Sequence, residues 1–103
     1  MTVSEFTESF GNQMPEALSP ELQALWYLGT GDWDTAHKAV RYEQDADNAW
    51  IHAHLHKIND DAENAKYWYS KSNRDLFNVK VEDEFLELLT YFLNRTSHCL
   101  LDF

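Results

Sequence analysis

The chain contains few of the residues that form disulfides, break helices or attract nucleic acids. Its 103 residues include one cysteine, two prolines, three glycines, and eight basic residues against 18 acidic ones. Because Cys99 is the only cysteine, an internal disulfide and a cysteine-based zinc site within one chain are excluded. The net charge of −10 argues against binding to nucleic acids or anionic membranes, since both attract cationic surfaces.

Long apolar runs are absent as well. No stretch of about 18 apolar residues occurs, so the sequence predicts no membrane-spanning segment. Residues 1–6 lack the basic region and apolar stretch of a secretory signal, and we therefore expect a protein of the reducing cytoplasm. The hydrophobic fraction of 44% and the aromatic fraction of 15% predict a folded chain, and its length predicts one domain.

The placement of the prolines favours long helices. Both lie in the first fifth of the chain, at Pro15 and Pro20, and none interrupts the later residues. Ser19 followed by Pro20 is typical of a helix start. We predict an all-α fold in which two antiparallel helix hairpins are closed by terminal helices. The predicted parts of the single domain, residues 1–103, are a first hairpin at 19–43, a second hairpin at 47–72 and a C-terminal capping helix at 82–95.

Two short segments resemble each other at an offset of 29 residues, residue 60 aligning with residue 31. They are GDWDTA at 31–36 and DDAENA at 60–65. In each segment an acidic residue that can cap a helix is followed four residues later by alanine, which lets two helices approach closely. The first segment resembles tetratricopeptide-repeat hairpins, and AKYWYSKS at 65–72 resembles the end of Sel1-like repeats. These resemblances imply stacked helix hairpins.

A narrower resemblance covers residues 20–74. The segments GDWDTAH at 31–37, AWIHAHLH at 49–56 and NAKYWY at 64–69 are similar to motifs of a group of small, uncharacterised bacterial proteins. The resemblance implies an architecture of paired helices and supplies no mechanism. Asp60 departs from the pattern, because such proteins and tetratricopeptide hairpins usually have glycine at that position.

The segment 48–58 is expected to form the central helix of the bundle. No Asp, Glu, Lys or Arg occurs between residues 48 and 56, and a helix that is apolar nearly all round packs on several sides. At about 100° per residue, His52 and His56 lie about 40° apart on one face. His54 lies on the opposite face, together with Trp50.

Three interpretations of His52 and His56 are open. Both can be buried, neutral and hydrogen-bonded within the core. Alternatively, an i, i+4 histidine pair can supply two zinc ligands, with His37 on the preceding helix as the third. A third interpretation is acid–base chemistry with Tyr67 or Tyr69. The H-E-x-x-H pattern of zinc proteases is absent.

Trp50, His54 and Lys57 form a separate candidate site. In a tetratricopeptide-like hairpin these positions line the concave face, where an aromatic ring, a titratable ring and a cation suit a peptide or a small anionic ligand. The alternative is that Trp50 belongs to the core between the repeats.

The leading functional prediction is a non-enzymatic module that binds a protein or peptide, with Trp50 and His54 exposed in a groove and without a cofactor. The first alternative is a small metal-binding protein or enzyme that uses His37, His52 and His56 for zinc or another divalent metal. The second is an acidic inhibitor of a basic partner. The apolar C-terminal helix is expected to cap the hairpins, with a homodimer interface as its alternative role.

Overall fold

The computed structural model describes residues 1–42 and 44–101, of which 96–101 are described as backbone only. The described residues form helices and turns and contain no strand, so the predicted all-α class is confirmed. A short 3-10 turn, Ser9–Gly11, follows the first helix. The six α-helices are α1 Val3–Glu8, α2 Pro20–Gly29, α3 Trp33–Val40, α4 Ala46–Ile58, α5 Ala62–Ser72 and α6 Val81–Leu101.

Helix starts follow the local capping signals of the sequence. The Ser19 hydroxyl accepts a hydrogen bond from the Leu22 amide, with Pro20 in the first helical position. Asp32 and Asp61 cap α3 and α5, as predicted. The start predicted for α4 is wrong by two residues, because Asp45 caps this helix and Asp47 lies inside its first turn.

The turns of the two hairpins have the same backbone hydrogen bonds. In the first, the amides of Gly31 and Asp32 donate to the carbonyls of Leu28 and Tyr27. The amides at 60 and 61 make the same pair of bonds to the carbonyls at 57 and 56. Gly31 has a φ of 89° and Asp60 a φ of 56°, both in the left-handed region. The repeat seen in the sequence is therefore a repeat of the turn.

Each hairpin packs its own two helices together, α2 on α3 and α4 on α5. The long α6 then packs across α1, α2 and α4. Helix α4 is the most buried element, since every residue from Asn48 to Leu55 is buried. Its predicted central position is confirmed. The stacking of tetratricopeptide repeats, and a dimer formed through α6, remain predictions.

A partly buried ion-pair network connects α6 to α2 and α4. Arg95 on α6 bonds to both Glu21 on α2 and Asp47 on α4. Asp47 also accepts hydrogen bonds from Arg74 and from the Tyr91 hydroxyl. Because Asp45 and not Asp47 caps α4, the side chain of Asp47 is available to connect α4 with α6 and with Arg74 after α5.

Within the part of the chain that the structure describes, no helix has both the length and the apolar character that crossing a membrane requires.

The turn residue Asp60 has a left-handed backbone conformation, which glycine adopts more readily than other residues. Replacing it with glycine should raise the free energy of unfolding by about 0.5 kcal/mol, because glycine adopts positive φ without the steric cost of a β-carbon. Urea denaturation of Asp60→Gly measures the gain. Asp60→Ala is the matched control, since it removes the same carboxylate but keeps a β-carbon. Equal stabilisation by both variants would show that charge, and not backbone conformation, limits this turn.

Candidate functional site

Helix α4 carries two groups of polar side chains on opposite faces, as its periodicity predicts. One face contributes His52 and His56, which lie against α3 and α5. The other contributes His54, which lies against α6. We call the first group, His37 with His52 and His56, the histidine cluster. The second group, the Glu84 cluster, consists of Glu84 with Trp50, His54, Lys57 and Tyr69.

The three imidazoles of the histidine cluster converge. Each offers one ring nitrogen, and these three atoms all lie within 4.8 Å of one another. The ring centroid of His37 is 5.3 Å from that of His52 and 5.7 Å from that of His56. His52 is 2% exposed, and the other two are half-buried. The structure thus brings together the three residues that the sequence suggested as metal ligands.

His52 has one bonded and one free ring nitrogen. Its Nε2 lies 3.0 Å from the carbonyl oxygen of Val40, so Nε2–H is the donor of a buried hydrogen bond. This bond leaves Nδ1 with a lone pair. Among the described residues, Nδ1 has no hydrogen-bond partner although it is buried. The interpretation of a hydrogen-bonded core histidine therefore accounts for Nε2 of His52 but not for its Nδ1.

Two tryptophans form the walls of the histidine cluster. The Trp33 ring stacks on His37 with centroids 5.1 Å apart, and its Nε1–H donates to the Leu55 carbonyl at 2.7 Å. Trp68 stacks on His52 at 4.3 Å. These contacts restrict how the imidazoles can turn. They also place two fluorescent side chains directly against the cluster.

The surroundings of the histidine cluster favour neutral imidazoles. Burial, followed by the charge of Arg41, lowers the pKa of His37. Burial also lowers the pKa of His52, although the hydrogen bond to Val40 acts in the opposite direction. The pKa of His56 is lowered by burial and then by His37. Neutral imidazole is the form that binds a metal ion.

The Glu84 cluster is a buried carboxylate surrounded by donors. Nε1 of Trp50 and the Tyr69 hydroxyl donate to Oε2 at 3.0 and 2.6 Å. Nδ1 of His54 and Nζ of Lys57 lie 2.5 and 2.8 Å from Oε1. Burial alone would raise the pKa of Glu84, but the bonds from His54, Lys57 and Tyr69 lower it to about 2. The carboxylate is therefore ionised at neutral pH.

The exposure predicted for Trp50 and His54 in a partner-binding groove is therefore wrong. Trp50 is 5% exposed, His54 is 0% exposed and the side chain of Lys57 is 9% exposed. All three turn inward to Glu84, because a buried carboxylate must be compensated by donors and a cation. Tyr69, considered as an acid–base partner of the other histidines, also donates to Glu84.

Sequence reasoning missed Glu84 itself. The run Glu82-Asp83-Glu84 is typical of a solvated helix start. The first two residues of the run are indeed exposed, whereas Glu84 is buried. The available signal is the i, i+4 spacing of Glu84 and Leu88, which places both on one helix face. Both are 0% exposed.

No protein-family model matches the chain, and neither the curated proteins nor the solved structures contain a match to it. The function of the chain is therefore inferred from the geometry of the two clusters.

Replacing Glu84 tests how much the Glu84 cluster contributes to the stability of the fold. Glu84→Gln removes the charge that Lys57 faces inside the protein, and we expect the free energy of unfolding to fall by about 3–5 kcal/mol. Chemical denaturation at pH 7 measures this loss. Glu87→Gln, an exposed change on the same helix, should stay within about 0.5 kcal/mol of the wild type. A loss below about 1 kcal/mol for Glu84→Gln would contradict the buried ion pair.

The histidine cluster predicts a pH dependence of stability. The three folded-state pKa values lie below the ordinary value of 6.5, so below that pH the unfolded chain binds more protons than the folded one. The free energy of unfolding should therefore be highest above pH 6.5 and fall as the pH drops below it.

Urea denaturation of the metal-free protein at pH 7.5 and at pH 5.5 measures this effect. The carboxyl of Glu84 does not contribute in this range. Its pKa is lowered from 4.5 to about 2 by folding, and both values lie below pH 5.5. His56→Gln should show a smaller decrease than the wild type. Equal stability at the two pH values in the wild type would contradict the prediction.

Proposed function

We propose that this chain is a small metal-binding protein in which His37, His52 and His56 bind one divalent transition-metal ion, with zinc as the representative ion. The observation that carries the proposal is the convergence of three imidazole nitrogens within 4.8 Å of one another. In a tetrahedral zinc site, with Zn–N distances of about 2.0–2.1 Å, ligand nitrogens lie about 3.3 Å apart. Zinc binding therefore requires the three ring nitrogens to move closer together than they are in this structure.

The hydrogen bonding of His52 supports the proposal. Metal-binding histidines usually donate their other ring N–H to a carbonyl or carboxylate, which fixes the ring and its tautomer. His52 already makes such a bond to Val40, and its buried Nδ1 retains the lone pair. His56 has a related neighbour, since its Nδ1 lies 3.9 Å from Oδ2 of Asp61.

The donor set indicates which metals fit. Three imidazoles without thiolate or carboxylate suit zinc, copper, nickel and cobalt, whereas calcium and magnesium need oxygen ligands. A three-histidine set also leaves one position of a tetrahedral ion for water or an external ligand. We propose metal binding and no catalytic reaction. The protein-interaction module predicted from the sequence stays a prediction, but Trp50 and His54, which were expected to be exposed in its groove, are buried.

Zinc titration of the metal-free protein tests the proposal. Isothermal titration calorimetry at pH 7.4 should give one saturable site per chain. His37→Gln and His56→Gln should each weaken binding at least about ten-fold, because each removes one of three ligands. Both side chains are only half-buried, so these variants are expected to fold. Lys38→Gln, an exposed change next to His37, should leave the affinity unchanged.

A cobalt titration adds a coordination readout. Tetrahedral Co²⁺ absorbs strongly in the visible region, and this band should appear in the wild type and weaken in both histidine variants. Fluorescence of the stacked Trp33 and Trp68 should be quenched at the same stoichiometry. The proposal fails if zinc does not saturate one site, or if both histidine variants bind zinc as tightly as the wild type.

A further inference from the structure

A cavity of about 610 Å³ lies where the end of α2, the start of α3, the end of α4 and the start of α6 meet. Its volume falls in the range of small-molecule sites. The lining is almost entirely apolar and includes Leu28, Trp33, Ile58, Phe85 and Leu86. Leu86 is 52% exposed and Ile58 is 36% exposed, so apolar side chains reach solvent at its rim.

One polar side chain of the interior, that of His54, contributes to the lining. Its Nδ1 is bonded to Glu84, and the ionised carboxylate keeps the proton on this nitrogen. In the neutral imidazole with its proton on Nδ1, the other nitrogen, Nε2, is an acceptor. It is buried and has no partner among the described residues. A buried acceptor without a partner is destabilising, and a ligand donor would relieve this cost.

We propose that this cavity binds a small neutral aromatic molecule with one hydroxyl group, which donates its hydrogen bond to Nε2 of His54. In this tautomer of the neutral ring, Nε2 is paired by a ligand that carries a donor. Aromatic side chains, Trp33 and Phe85, line the space around it and favour a ring. Glu82 in the lining and the net charge of −10 disfavour an anion.

The Phe85 ring lies beside the imidazole that carries the acceptor. It is stacked beside the His54 imidazole, with centroids 6.1 Å apart and an angle of 20° between the rings. Nε2 is out of contact with solvent, so the ligand hydroxyl reaches it when the half-buried Phe85 side chain turns aside. The ligand site is distinct from the histidine cluster. Trp33 lines the cavity and also stacks on His37, and neither proposal depends on the other.

A pair of matched probes tests the proposal on the full chain in the presence of EDTA. The first probe is 4-ethylphenol, and the second is 4-ethylanisole, which has nearly the same shape but no hydroxyl donor. Calorimetry should show one site for the phenol and an affinity about ten-fold lower for the ether. The side-chain ¹⁵N signal of His54 Nε2 should shift with the phenol and with the same saturation curve.

Two variants on α6 complete the test. Leu86→Glu puts a charge at the exposed rim and should abolish binding of 4-ethylphenol. Thr90→Glu, one turn further along the same helix, is also exposed and does not line this cavity. It adds the same charge and should leave the affinity unchanged. Both variants should keep the helical circular-dichroism spectrum of the wild type.

Three results would overturn the proposal. The first is the absence of saturable phenol binding. The second is equal affinity for the phenol and the ether, which would show that His54 does not accept the hydrogen bond. The third is a dimer in analytical ultracentrifugation that Leu86→Glu disrupts and 4-ethylphenol does not, because a second copy would then cover the cavity. Loss of zinc binding in His37→Gln has no bearing on these outcomes.

Discussion

The buried carboxylate of Glu84 is the interaction on which the arrangement of the helices depends. It is 0% exposed, and its donors come from α4 and from α5. If α6 shifted by one residue, the carboxylate would turn about 100° away from these donors. It would then leave the Lys57 charge uncompensated inside the protein, which is costly. The register of α6 against the second hairpin is therefore fixed by charge as well as by packing.

This constraint also determines where the histidine cluster forms. Residues two positions apart on a helix differ in direction by about 200°. Because His54 faces Glu84, His52 therefore lies on the opposite side of α4. There it meets His37 of the first hairpin. The bond to the carboxylate on α6 thus agrees with the rotation of α4 that turns His52 and His56 toward His37. Stability and the candidate metal site share one central helix.

The sequence predicts those features that are determined within a few residues. The caps of α3 and α5, the repeated turn and the two faces of α4 follow from local spacing. The partner of His54 could not be predicted in this way, because Glu84 lies 30 residues further along the chain. An acid in the first turn of a helix is equally compatible with solvent. Only the packing of α6 on α4 decides that Glu84 is buried, and the exposure expected for Trp50 and His54 fails for that reason.

The two clusters differ in the groups that already occupy their ligand atoms, and this difference favours the imidazoles over Glu84 as the proposed cation site. Glu84 carries the stronger negative charge, but Lys57 and three further donors already occupy its oxygens. A metal ion there would have to displace a buried lysine. The histidine cluster has no such cation bonded to its nitrogens among the described residues, and Nδ1 of His52 keeps a lone pair without a partner. A soft divalent ion therefore gains ligands at the imidazoles without breaking an ion pair, although the carboxylate attracts cations more strongly at a distance.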